Sequence, residues 1–80
     1  MRYFFDTRDD GVVVADDAGL DVADLGEVKV LAAKALAELA ADVLPCSTER
    51  CLAIDVRDSH GHPVLTTELT FRAIVLKAAA

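Results

Sequence analysis

Residues 2–8 alternate between two faces, with Tyr3, Phe5 and Thr7 on one and Arg2, Phe4, Asp6 and Arg8 on the other. A two-residue period rich in aromatic side chains predicts a strand. Asp9-Asp10-Gly11 follows. An Asp-Gly pair ahead of the β-branched run Val12-Val13-Val14 predicts a tight hairpin into a second, shorter strand. Asp16, Asp17 and Gly19 mark the turn that closes it, and Leu20 and Val22 lead toward the longest regular stretch of the chain.

That stretch, Asp24 to Leu44, predicts a helix. Asp24 and Glu27 form the capping pattern Asp-x-x-Glu, and their charge complements the positive end of the helix dipole. Gly26 in the first turn costs about 1 kcal/mol relative to alanine. Pro45 ends the helix, because the residue before a proline is pushed out of the helical region. At about 100° per residue, Leu25, Val28, Ala32, Leu36, Leu39 and Val43 share one arc, which is expected to face a sheet. Glu27, Lys34, Glu38 and Asp42 form a polar stripe nearly opposite. Val30, Ala33, Ala37, Ala40, Ala41 and Leu44 make an apolar flank between them, wider than one sheet contact requires.

Cys46 to Arg50 reads as a loop. Residues 51–58 alternate again, with Leu52, Ile54 and Val56 inward and Ala53, Asp55 and Arg57 outward. Asp58-Ser59-His60-Gly61-His62 is a polar turn, and Pro63 stands where a strand tolerates a missing amide hydrogen. Val64 to Phe71 is a fourth strand, with Leu65, Thr67, Leu69 and Phe71 on its apolar face. Ala73-Ile74-Val75-Leu76 continues apolar and fits either a strand or a short helix. The last three alanines, 78–80, are expected to fray. The order β-β-α-β-β predicts an α+β fold: a small, antiparallel-rich four-stranded sheet with one long helix on one face, forming a single domain over residues 1–80. Strand order does not follow from the pattern.

Composition narrows the function. Of the 80 residues, 54% are hydrophobic, yet the aromatic side chains are Tyr3, Phe4, Phe5 and Phe71 alone. A chain this short buries only about 60% of the surface its unfolded form exposes, so a monomer has modest stability. The net charge is −6, eight basic residues standing against fourteen acidic ones, and the isoelectric point is near 4.6. Nucleic acid and anionic membrane surfaces both bind through Lys and Arg, so neither is an expected partner. The apolar run at the N-terminus is too short for a signal peptide. Charges along the helix exclude a membrane span. Two cysteines make no disulfide framework. A cytoplasmic protein is expected.

The candidate chemistry is thin. Asp9, Asp10, Asp16, Asp17, Asp21 and Asp24 concentrate acid where a hard cation could bind, but aspartate is also favoured in turns and caps for local hydrogen bonds. Cys46, Cys51, His60 and His62 are all zinc-ligand types. An extended strand over residues 52–59 holds the two pairs roughly 25 Å apart, whereas ligands sit about 2 Å from one metal. Ser59 beside His60 is a sequence neighbour rather than a triad, and no glycine-rich loop opens the helix. No catalytic residue, cofactor site or metal site is assigned, and a non-enzymatic protein is expected.

Arg2-Tyr3-Phe4-Phe5-Asp6-x-Arg8-Asp9, then Asp16-Asp17-x-Gly19, then Asp24-Leu25 opening an alanine-rich helix, resembles a family of short bacterial proteins common in alphaproteobacteria. The family is known as a domain of unknown function. Its closing hairpin, Val-Arg-Asp-x-x-Gly-x-x-Val-Leu, is matched here by Val56-Arg57-Asp58 and by Gly61 to Leu65. The resemblance implies no activity. In topology alone, the helix-on-hairpins order is also similar to small antitoxin-like domains.

The apolar flank carries the functional expectation. Small domains often complete a core by association, and twofold dimers are the commonest form. Val30, Ala33, Ala37, Ala40, Ala41 and Leu44, with Phe4 on the other sheet face, are the candidate interface of a homodimer or of a contact with another protein. The alternative is a small-ligand or metal-binding protein that uses the acidic loops of residues 9–24.

Overall fold

A computed structural model describes residues 1–77. Strands β1 (Arg2–Asp9) and β2 (Val12–Val14) form the first hairpin, and a two-residue strand β3 (Leu20–Asp21) precedes helix α1 (Leu25–Val43). A 3-10 turn (Leu44–Cys46) leads to β4 (Glu49–Asp58) and β5 (Pro63–Arg72). The sheet is antiparallel and ordered β2-β1-β4-β5, with β3 also on β1. The fold is therefore α+β, one long helix on a sheet, as the pattern predicts. The additional strand, β3, pairs Arg2 with Asp21 and Tyr3 with Leu20. Its two residues are too few for any periodicity to reveal.

Asp10 (φ 47°) and Gly11 (φ 84°) form the two-residue loop between β1 and β2. Two left-handed residues in succession give the hairpin turn whose twist matches that of the strands it joins. Phe5 pairs with Val56, Thr7 with Ile54, Leu52 with Leu69 and Val56 with Leu65. This register stacks the predicted apolar faces of three strands on one side of the sheet.

The Asp24 carboxylate accepts from the backbone N–H of Glu27 at 2.8 Å and so caps α1. At the other end Leu44 leaves the helix for the 3-10 turn carrying Pro45, and Ser47 Oγ donates to the carbonyl of Val43 at 2.6 Å. The helix is thus shorter by a residue at each end than the stretch from cap to proline. The strand β4 begins at Glu49, inside the segment expected to be a loop.

Val28, Ala32, Leu36 and Ala40 of α1 pack on Tyr3, Val22, Leu52, Ile54 and Val56. Two corrections concern α1. Ala40, expected on the open flank, is core, because it continues the arc of Leu36 by only about 40°. Leu25, expected to face the sheet, is 54% exposed, one turn ahead of the first residue that reaches the core. Leu31 and Ala35 join the rim of the core instead. Beyond β5, the backbone N–H of Ala73 donates to the Thr48 carbonyl, and no regular structure follows through Leu76. β4 supplies no residues for further pairing there. Residues 78–80, expected to fray, lie outside the described residues.

Candidate functional site

The sheet face away from the helix is a lattice of ion pairs. Arg57 Nε donates to Asp6 Oδ2 at 2.9 Å, its Nη2 donates to the Asp16 carbonyl at 2.9 Å, and its guanidinium lies 4.6 Å from the Phe4 ring centroid. Arg8 donates twice to Asp55, at 3.0 and 3.1 Å, and Thr66 Oγ1 donates to the same carboxylate at 2.6 Å. The outward-facing Ala53, paired with Arg8 and with Glu68, is left fully buried. Phe4, a candidate interface ring, is thus half-buried beside Arg57 rather than free. Charges this well paired and this wet contribute little individually. They keep the face solvated and fix the strand register.

Apart from the exposed Asp17, the acidic loops are internally engaged. Asp16 Oδ2 accepts from the Phe5 backbone N–H at 3.1 Å, and its Oδ1 accepts from Ala18 and Gly19 at 3.0 and 3.1 Å. Those backbone donors, Phe5 first, hold the Asp16 carboxyl below the usual carboxylate range. Arg50 does the same for Asp9 through bonds of 2.7 and 2.9 Å. Asp10 accepts from the Cys51 backbone N–H, Asp21 faces Arg2, and Asp24 caps the helix. Among the described residues, no three His, Cys, Asp or Glu side chains converge on a point that could hold a metal ion. Cys46 and Cys51 are free and exposed. Cys51 lies near the start of β4 and His60 and His62 beyond its end. In that turn Asp58 Oδ1 accepts from the backbone N–H groups of both histidines.

What remains unengaged is apolar surface, and it lies on both sides of the helix. α1 packs on β4 and β5 to similar extents, leaving β2 uncovered. A groove of about 430 Å³ opens there, lined by Thr7, Val12, Val14 and Leu39 and by the charged Asp9, Asp10 and Arg50. Across the helix from Leu39, toward β5, Val30 is 50% exposed and Ala33, Ala37 and Ala41 are exposed. Of the expected flank, Ala40 is core and Leu44 packs against it. Among the described residues β5 is an edge strand, ten residues long, with β4 alone beside it. Neither the edge nor the open face of β2 was readable from the sequence. Edge position depends on strand order, and three consecutive valines do not say which of them lacks a cover.

Size quantifies the excess. The radius of gyration is 15.0 Å, against about 12 Å for a compact chain of this length. The accessible surface is 5555 Å², where a compact monomer of this mass exposes about 4,700 Å². Part of that difference lies beyond β5, where Ile74, Val75 and Leu76 are 66, 94 and 71% exposed, and part on the open helix flank and sheet edge.

Among the described residues no helix is long and apolar enough to cross a membrane. A family model described as a domain of unknown function, DUF6894, matches residues 2–70, from the start of β1 nearly to the end of β5. No curated protein matches the chain, and no solved structure does.

Proposed function

We propose that this chain, which belongs to the DUF6894 family, is a non-enzymatic interaction module that associates with a second copy of itself. The apolar helix flank left exposed beside an open sheet edge carries the reading. The exposed side chains in question are apolar or small, Val30, Ala33, Ala37 and Ala41 on the helix, and the β5 face beside them carries half-buried Leu65, Leu69 and Phe71. Small side chains let a neighbouring backbone approach closely. Apart from the exposed Asp17, the carboxylates of the acidic loops are bound to arginines and backbone amides, so a cation would have to displace those partners first. The exposed free thiols of Cys46 and Cys51 suit the reducing, cytoplasmic setting proposed for this chain.

Sedimentation equilibrium or light scattering from low to high micromolar concentration tests the proposal. A mass rising to twice that of the chain supports it, and a strict monomer across the range overturns it. A panel of divalent cations in a thermal melt tests the alternative, since a ligand that binds only the native state raises its melting temperature.

A further inference from the structure

The open edge of β5 has a chemistry that specifies its own partner. Its charged side chains are Glu68 and Arg72, of opposite sign and four residues apart, both exposed on the outer sheet face. Within the chain Glu68 stands 3.8 Å from Arg8 and Arg72 is registered opposite Glu49, contacts loose and wet enough to be shared with a second copy. In an antiparallel pair of identical strands, two residues face each other when their numbers sum to a constant. The register that sets Glu68 opposite Arg72 therefore sets Thr70 opposite itself. We propose that two copies of this chain join β5 to β5 about a twofold axis at Thr70, forming one continuous eight-stranded core sheet with two Glu68–Arg72 pairs across the seam.

Three further features agree with that register. On the inner face it places Leu69 opposite Phe71, both half-buried in the single chain. Aromatic–aliphatic cross-strand pairs are among the stabilising ones. Beyond β5 it places Ile74 and Val75 beside Thr66 and Leu65 of the second copy, up to the bulge at Val64. Those two tail residues are 66 and 94% exposed in the single chain, and pairing gives them the strand neighbour that β4 does not supply.

The third feature is the helix. A twofold perpendicular to the sheet keeps both helices on one face. Each α1 lies over β4 and β5 together, so its axis stands about one strand spacing, roughly 4.8 Å, from the seam. The two axes are then about 10 Å apart, within ordinary helix-packing distance. The side chains turned toward the seam are Ala33, Ala37 and Ala41, small enough for that approach. Unpaired edges this long invite association; Pro63 and the bulge at Val64 guard only the start of β5, and its charges, Glu68 and Arg72, are the ones this register pairs.

This inference rests on self-association and adds its geometry. The experiment is a charge exchange read by sedimentation equilibrium. Glu68→Arg and Arg72→Glu each set like charges at both pairs and weaken the dimer by about tenfold or more. Mixing the two variants restores both pairs in a heterodimer, and the double variant E68R/R72E dimerises more tightly than either single variant, short of the wild type because Arg8 and Glu49 then face like charges. In a Cys46→Ser, Cys51→Ser background, Thr70→Cys forms an intermolecular disulfide on mild oxidation. Single variants that dimerise like the wild type, or a mixture that stays as weak as its components, overturn the β5 seam while leaving self-association intact. A monomeric wild type overturns both.

Discussion

The backbone N–H of Phe5 donates to the carboxylate of Asp16, eleven residues away, across 3.1 Å. β2 pairs with Thr7 to Asp9 and β3 with Arg2 and Tyr3, so β1 lacks a strand neighbour between them. A side chain supplies the missing acceptor. The same carboxylate accepts from Ala18 and Gly19, and the Asp16 N–H donates to Asp6 at 2.8 Å, which closes the loop on the sheet edge. Removing it leaves a backbone donor with no partner. Asp16→Ala is expected to lose about 2 kcal/mol of unfolding free energy. Asp16→Asn, which retains one acceptor oxygen, loses less. Urea denaturation of the three proteins measures both, and an unchanged midpoint in Asp16→Ala contradicts the account.

The same bonds set an acid limit. Asp16 is held below its ordinary range by backbone N–H donors, chiefly Phe5, and Asp55 chiefly by the Arg8 hydrogen bonds. Asp9 is lowered by Arg50, and Asp58 by the backbone N–H of His62. Each carboxyl therefore binds its proton more weakly folded than unfolded, where its pKa is about 3.9. The unfolded chain takes up protons first as pH falls. The stabilisation is complete above about pH 5 and is lost progressively below about pH 4, as the folded carboxyls titrate. Melting temperatures followed by circular dichroism down the acid range are expected to show that fall, and in Asp16→Asn a shallower one.

How much of this was legible in sequence varies with the range of the interaction. The strand of residues 2–8, the Asp10-Gly11 turn and the Asp24 cap follow from rules that span a few residues, and each stands where the pattern places it. Leu52, Ile54 and Val56 are buried because alternation determines which way they point. Ala40 and Leu25 were misplaced because a helical wheel says nothing about where the sheet begins and ends beneath it. Asp16 was visible only as turn acid. Its role depends on a gap in the strand opposite, which exists only once β2 and β3 have both paired with β1. The exposed flank of Val30, Ala33, Ala37 and Ala41 was readable, whereas the β5 edge that extends it required strand order.

Two glycines in left-handed conformations separate backbone cost from steric cost. Gly11 has φ 84° with nothing within 4 Å of the place a Cβ would take. Gly19 has φ 72°, and a Cβ there would stand 2.9 Å from both Arg2 Cγ and Phe4 Cε2. Gly11→Ala is expected to cost about 1 kcal/mol, the left-handed penalty of an L side chain. Gly19→Ala adds overpacking, about 1 kcal/mol or more, since Phe4 is held beside Arg57 and cannot easily retreat. Chemical denaturation of the pair checks the order, and equal losses would show that Arg2 and Phe4 give way freely.

Leu25 and Leu52 test where the core ends. Both were expected to face the interior, yet Leu52 is 2% exposed at the centre of the sheet and Leu25 is 54% exposed in the first turn of α1. Leu52→Ala removes apolar contacts with no solvent to fill the space, and about 3 kcal/mol is expected to be lost. A domain of this size has a total stability of only about 4–12 kcal/mol, so that variant is expected to be partly unfolded at moderate temperature. Leu25→Ala gives up little buried area and trades leucine for a better helix former, so its effect stays within about 0.5 kcal/mol. Urea midpoints measured at a single protein concentration keep any association constant between the two variants. A loss at Leu25 approaching that at Leu52 would mean that the first helical turn is covered in solution, and the surface there would then belong to an interface.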